Sequence, residues 1–443
     1  EIASCLVGSE MCIRDRKKGT NKLKQNFFEI DEKIQRAADE AIAKTEPQFK
    51  KIAEISEYNQ QKVLSAFIKN GVSESMFASS TGYGYGDRGR ETLDKVFADI
   101  VGAEDSLVRH NFTCGTHTLA VALFGLLRTG DTMLCVTGTP YDTIHSVIGI
   151  DGKGDGSLAD YGIKYKQVDL GEDDKPDIPA IINALQTNDI KLVYIQRSRG
   201  YELRPSLSCE EIKEIIDAVR KNSNALVMVD NCYGEFVQTV EPTEYGADII
   251  AGSLIKNAGG GIAKTGGYIA GKAELVEKCA YRLTTPGLGR EVGATLGQNR
   301  DLFFGIYSAP MVVGEALKTV VFASALLESF GFESTPKSTD ERFDIVQTVK
   351  LNTADNLIAF CQGLQKGSPV DSFVLPEPWD MPGYDDQVIM AAGTFTLGSS
   401  IELSADGPLR EPYAAWMQGG INFYSAKMSV MLAVQEMYKK GLI

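Results

Sequence analysis

A chain of 443 residues is longer than a single compact core supports and predicts two or three domains. Apolar residues at 43% and charged residues at 23% describe an ordinary globular protein. The net charge of −14 argues against nucleic acid or an anionic membrane as partner, since both demand a basic surface.

Eight scattered cysteines without a C-x-x-C pair, and only three histidines, supply neither a disulfide framework nor a thiolate zinc site. A reducing cytosol is the simplest home for such a chain. No apolar run approaches the roughly 20 residues of a bilayer span. The opening stretch EIASCLVGSEMCIRDR (1–16) lacks any periodicity and resembles translated adapter read-through, so it is expected to be a non-native tail.

From Lys22 to about Lys69 apolar residues recur every third or fourth position, which predicts a helical segment ended by Gly71. The glycine-rich stretch TGYGYGDRGR (81–90) and a short helix to Ile100 follow. Helices are then expected to alternate with strands: helix 116–128, strand 132–137, helix 178–186, strand 191–196, helix 209–221 and strand 225–230. The third of these helices opens on a capping box formed by Ser208 and Glu211. Strands at 248–254 and 266–271 complete the series. Several runs are apolar throughout, as in a sheet covered on both faces, and the alternation predicts βαβ units with a mostly parallel sheet.

Helices near 313–330 and over 338–366 are expected next, then a Pro-rich stretch (369–384), strand-like runs and a last helix from about 425 to 440. The change of texture places a large domain, expected to carry the ligand site, at 76–310, after an N-terminal helical segment at 17–75, and a smaller α+β domain at 311–443.

Four features fall at the ends of these elements, where an α/β sheet gathers its ligands. Asp230 in VDNCYGEF (229–236) ends an apolar strand, either as a turn cap or as a buried carboxylate that needs a cationic partner. Lys256 in GSLIKNAGGG (252–261) follows the next strand, either snorkelling into water or kept from it, with a depressed pKa, as a nucleophile. CGTHT (114–118) opens a helix, either plainly or as an anion cradle whose free N–H groups face a phosphate, with Ser253 adding a hydroxyl. The glycines around Tyr85 and Arg88 suit a linker or a mobile anion clamp. GGGIAKTGG (259–267) is not a phosphate loop, because Ala263 and Ala258 stand where glycines are required.

Together these parts fit pyridoxal 5′-phosphate, whose aldehyde needs a lysine, whose ring nitrogen needs a carboxylate and whose phosphate needs a helix N-terminus. Tyr141, in TGTPYDT after strand 132–137, is either a packing residue or a cover for the ring.

In GTHTLAVALFG, TGTPYDT, IQRSRGY, VDNCYGEF, TGGYIAG and IELSADGPLREPY, taken in order, the chain from about residue 24 onward resembles the aluminium-resistance proteins, also called the methionine gamma-lyase family. These form a branch of the fold-type I pyridoxal-phosphate enzymes (aspartate aminotransferase-like), related to the cystathionine lyases. The resemblance implies Lys256 as the Schiff-base lysine, Asp230 as partner of the pyridine nitrogen, Gly115, Thr116 and Ser253 around the phosphate, and Tyr141 over the ring. It also implies that Tyr85 and Arg88 reach the phosphate of a neighbouring subunit, hence a homodimer or homotetramer with shared sites. Arg410 is the candidate for the substrate carboxylate, with Arg197 and Arg199 as further candidates for cofactor or substrate contacts. Cys114 stands where a serine is expected, and a thiol is a poorer donor to phosphate.

The activity implied is carbon–sulfur cleavage in a sulfur-containing amino acid, of methionine gamma-lyase or cystathionine beta-lyase type. Transamination, racemisation, or a non-catalytic pyridoxal-phosphate-binding role in stress response would need the same core residues.

Overall fold

The computed structural model describes residues 27–150, 152, 155–381 and 386–443. The expected non-native tail at 1–16 and the first residues of the expected opening helix lie outside them.

Helix α1 (Glu32–Lys69) is capped by Asp31, which accepts a hydrogen bond from the Lys33 N–H, and it buries Ile34, Ala38, Ala41, Thr45, Ile52, Val63 and Ala66 along one stripe. It ends at Asn70 and Gly71, the glycine taking the left-handed φ of 59°. Next come α2 (Arg88–Val101), β1 (Asp105–Arg109), α3 (Gly115–Leu126), β2 (Thr132–Cys135), α4 (Asp142–Ile148) and β3 (Lys164–Gln167). Then follow α5 (Ile178–Thr187), β4 (Leu192–Gln196), α6 (Cys209–Asn222), β5 (Leu226–Asp230), β6 (Ile249–Ser253), β7 (Gly267–Gly271) and α7 (Ala273–Leu283). The Ser208–Glu211 capping box opens α6 as its sequence predicts.

The first seven strands form one sheet in the order β1-β7-β6-β5-β4-β2-β3. The pairings from β3 through β6 are parallel, and β7 alone runs against its neighbours. Every residue of β2, β4, β6 and β7 is buried, so these strands are covered on both faces by helices. That explains why they read as continuous apolar runs.

Helix α8 (Asn299–Ser329) starts well before the expected 313 and runs without interruption across residue 310, with Pro310 inside it. Its length and composition would suffice for a membrane span, but it is mostly buried within the protein. Leu302, Phe303, Ile306, Val313 and Leu317 pack into the core beside the first sheet, and Val320, Phe322, Leu326 and Leu327 pack into the core of the second.

That second sheet contains β8 (Glu333–Thr335) and β9 (Val346–Lys350), and after α9 (Ala354–Lys366) it adds β10 (Val388–Ala391), β11 (Ser404–Pro408) and β12 (Ala414–Gln418). Its order is β10-β11-β12-β9-β8, antiparallel throughout, and α10 (Phe423–Lys439) closes the chain. The helix expected over 338–366 is therefore a strand followed by a helix. Val346–Lys350 is a buried strand rich in β-branched residues, and Asn352, at φ 67°, turns the chain before α9 begins.

Candidate active site

Asp230 ends β5 and Lys256 stands three residues past β6, its parallel neighbour, so both emerge at the carboxyl edge of the sheet. The N-terminus of α3 opens at the same edge. These elements enclose a cavity of about 290 Å³ lined by Gly115, Thr116, Tyr141, Asp230, Ser253 and Lys256, together with Cys114, Tyr201, Tyr233, Asp406, Trp416 and Gln418.

Asp230 is buried. One carboxylate oxygen accepts from the Cys232 N–H at 3.1 Å and the other from the Tyr194 hydroxyl at 3.3 Å. Burial raises its pKa, and the charge of Lys256 and the hydrogen bonds at Cys232 and Tyr194 only partly oppose that.

Lys256 departs from the expected depressed pKa. Burial does pull it down, but Cys232, Tyr233, Asp230 and Glu235 around the amine raise it by more, so the net direction is upward. Glu235 lies only five residues past Asp230, in the same motif, but nothing in the sequence tells that it turns back toward the amine. Lys256 holds its Nζ 4.0 Å from the centroid of the Tyr233 ring.

On the anion side, the Ser253 hydroxyl is buried with no partner within the protein. A Cβ at Gly115 would just touch the Ser253 Cβ at 3.4 Å, so a side chain longer than a methyl group would fill this notch. Thr116 and Thr143 share a hydroxyl hydrogen bond of 2.6 Å beside it. The Cys114 thiol lines the cavity and also caps α3, accepting from the His117 N–H at 3.4 Å. An unsatisfied hydroxyl facing the first turn of a helix fits a phosphate, and the Lys256–Asp230 pair across the same cavity fits an aldehyde and a ring nitrogen. The residues present therefore fit pyridoxal phosphate. Tyr141 precedes α4, held by its N–H donating to Gln196 Oε1 at 2.6 Å and by its ring packing over Gly200.

Other expected site residues are not brought here within one chain. Arg410 lies in the turn between β11 and β12, outside the cavity and largely exposed, paired with Asp386 at 3.1 Å. Arg199 is fully buried behind the cavity wall, donating to the Thr335 carbonyl at 3.0 Å, with its Nε 3.9 Å from Asp344. Arg197 is also fully buried and bonds Asn231 and Gln238. Both arginines are tied to neighbouring loop segments and neither lines the cavity.

Tyr85 and Arg88 sit on the exposed surface, Tyr85 stacked on Tyr83 at 5.4 Å. Their loop is not a free linker, since the buried Arg90 donates to the Gly84 and Gly293 carbonyls at 2.9 and 2.6 Å. Tyr201, Tyr233, Asp406, Trp416 and Gln418 were missed as lining residues. Tyr201, Tyr233 and Asp406 do lie inside motifs already singled out, IQRSRGY, VDNCYGEF and IELSADGPLREPY.

A mostly parallel sheet with one reversed strand, a lysine and a carboxylate at its carboxyl edge and a separate antiparallel sheet define the type I fold of pyridoxal-phosphate enzymes. The pyridoxal-5′-phosphate-dependent protein YhfS of Escherichia coli shares that fold, with a TM-score of 0.61 at 15% identity over 88% of this chain and 97% of that one. Residues 34–438 match the methionine gamma-lyase family, and the chain belongs to it. The chain is 50% identical over 396 residues to the uncharacterized protein YnbB of Bacillus subtilis (strain 168), covering 89% of this chain and 94% of that protein. It is 51% identical to a carbon-sulfur lyase involved in aluminum resistance from Clostridium novyi NT, with a TM-score of 0.89 over 92% of this chain and 96% of that one.

Proposed function

We propose that this protein is a pyridoxal-phosphate-dependent carbon–sulfur lyase acting on a sulfur-containing amino acid. With one water, such a reaction yields a keto acid, ammonium and a thiol. The observation that carries the reading is the convergence of Lys256, Asp230, Ser253 and the α3 N-terminus on one cavity.

When bound, pyridoxal phosphate supplies an electron sink for the carbanion formed at the substrate α-carbon. Asp230, its carboxylate oriented by Cys232 and Tyr194, would hold a proton on the ring nitrogen of the bound cofactor. Ser253, Gly115 and Thr116 hold the phosphate. Tyr141, which lines the same cavity, would cover a face of the bound ring. The Lys256 amine takes the proton from the α-carbon and carries a proton toward the leaving sulfur. Membership of the methionine gamma-lyase family and the likeness to the carbon-sulfur lyase of Clostridium novyi NT support this choice over transamination or racemisation. Tyr85 and Arg88, exposed at the surface, complete the phosphate site of a neighbouring copy in a homodimer or homotetramer.

The test is thiol and keto-acid release by the purified holoenzyme from methionine, cystathionine and cysteine. Release from at least one supports the reading. Amino transfer to a keto acid without thiol, or no reaction with any sulfur amino acid, contradicts it.

A further inference from the structure

The proposed reaction leaves one buried carboxylate of the same cavity without a task. Asp406 sits mid-strand in β11, directly opposite Trp416 of β12. Only 8% of Asp406 is exposed. One of its oxygens accepts a short hydrogen bond from the Tyr201 hydroxyl, and the other has no partner within the protein. The Tyr201 ring meets Trp416 edge-on at 5.2 Å and faces Tyr141 at 6.3 Å.

A carboxylate withdrawn from water is costly unless a cation or a full set of donors compensates it. Among the described residues that line the cavity, Lys256 is the only cationic side chain, and it works at the cofactor and the substrate α-carbon. Burial has pushed the Asp406 pKa up to about 6 against the hydrogen bonds of Tyr201 and Gln418 that lower it, so at neutral pH the group is mostly ionised and, among the described residues, in no ion pair. A substrate α-carboxylate placed against it would be repelled, and the substrate α-amine is engaged at the cofactor. What remains to face Asp406 is the far end of the substrate side chain, beyond the sulfur. An ammonium there would gain a charge-assisted hydrogen bond to the free oxygen and the electron-rich rings of Tyr201 and Trp416.

We propose that Asp406, framed by Tyr201 and Trp416, is a specificity-determining carboxylate that selects sulfur-containing amino acids bearing an ammonium group beyond the sulfur. Uncharged thioethers are accepted less well and anionic ones are rejected. The inference rests on the lyase reading for the orientation of the substrate.

The holoenzyme and its Asp406→Asn variant are tested with two probes of matched length, S-(2-aminoethyl)-L-cysteine and S-propyl-L-cysteine, and a slightly longer anionic one, S-(2-carboxyethyl)-L-cysteine. The readout is kcat/KM where thiol is released and the calorimetric dissociation constant where it is not. The wild type should favour the aminoethyl over the propyl probe by about tenfold or more, with the carboxyethyl probe last. Asp406→Asn should bring the first two within about twofold, chiefly through KM or Kd. A wild type with no preference for the cation, or failing to bind all three probes, overturns the proposal even without a variant. A variant that retains its cofactor and the full preference does so as well. Binding in the expected order without thiol release would instead sink the lyase reading and leave the role of Asp406 standing.

Discussion

The Lys256 nitrogen lies 4.0 Å above the Tyr233 ring, and Tyr233 itself adopts a left-handed backbone with φ 72°. A non-glycine residue pays for that conformation, and such strain collects where surrounding bonds over-determine the geometry. Here the Tyr233 hydroxyl donates to Ser400 Oγ at 3.0 Å, and its carbonyl accepts from Asn257 Nδ2 at 2.9 Å. The turn thus lays an aromatic face against the reactive amine. Tyr233→Phe keeps the ring and should hold kcat within about threefold, while Tyr233→Ala should lower kcat by about tenfold or more. Steady-state kinetics on both variants, with the cofactor absorbance intact, check the pair; equal losses would mean the ring is not the part that matters.

Asp230→Asn removes the negative charge at nearly constant shape. The kcat for thiol release should fall by about 10² to 10³, with a much smaller change in KM. Little loss of kcat would place the ring nitrogen elsewhere.

Ser253→Ala deletes the orphaned hydroxyl, a loss of about 1 kcal/mol and therefore about fivefold in the cofactor dissociation constant. Gly115→Val should weaken binding further, because its side chain fills the notch against Ser253. Cofactor titration of the apoproteins reads both. Unchanged affinity in both variants would remove the α3 N-terminus from the phosphate site.

Much of this was legible because fully buried parallel strands announce themselves as apolar runs, and because the residues at their carboxyl ends are forced together by the sheet. Asp230 and Lys256 are brought to one cavity by that rule, though each read singly was equally a cap or a strand-end lysine. Arg410 failed because one chain's turn geometry decides which way a hairpin residue points, and here it points to Asp386 and solvent. Asp406 went unnoticed because a strand residue reveals its face only once the pairing register with Trp416 is known. The helix expected over 338–366 failed at Asn352, whose turn separates a strand from a helix of similar apolar content.

Glu328, at the end of α8, ties three segments together. It accepts from Lys44 of α1 at 2.8 Å, from Ser324 at 3.0 Å, and from the Ser338 N–H and hydroxyl at 2.7 and 2.6 Å. Burial alone would raise its pKa, but the hydrogen bonds from Lys44, Ser338 and Ser324 outweigh it and bring the value to about 2, against an ordinary 4.5. A depressed acid stabilises the fold above its unfolded pKa, and that contribution fades as pH falls from 4.5 toward 2. Glu328→Gln should cost about 2 kcal/mol near neutrality and flatten this part of the acid limb. Denaturant melts from neutral pH down to pH 3 measure it (about the middle of the window); an unchanged acid limb would contradict the assignment.

The central claim is that Lys256 is the residue joined to the cofactor. Borohydride reduction of the holoenzyme, followed by proteolysis and mass spectrometry, reads that bond directly. The account predicts a pyridoxyl phosphate mass on the peptide carrying Lys256, absent in Lys256→Ala. The same mass on another lysine, or on none, would contradict it.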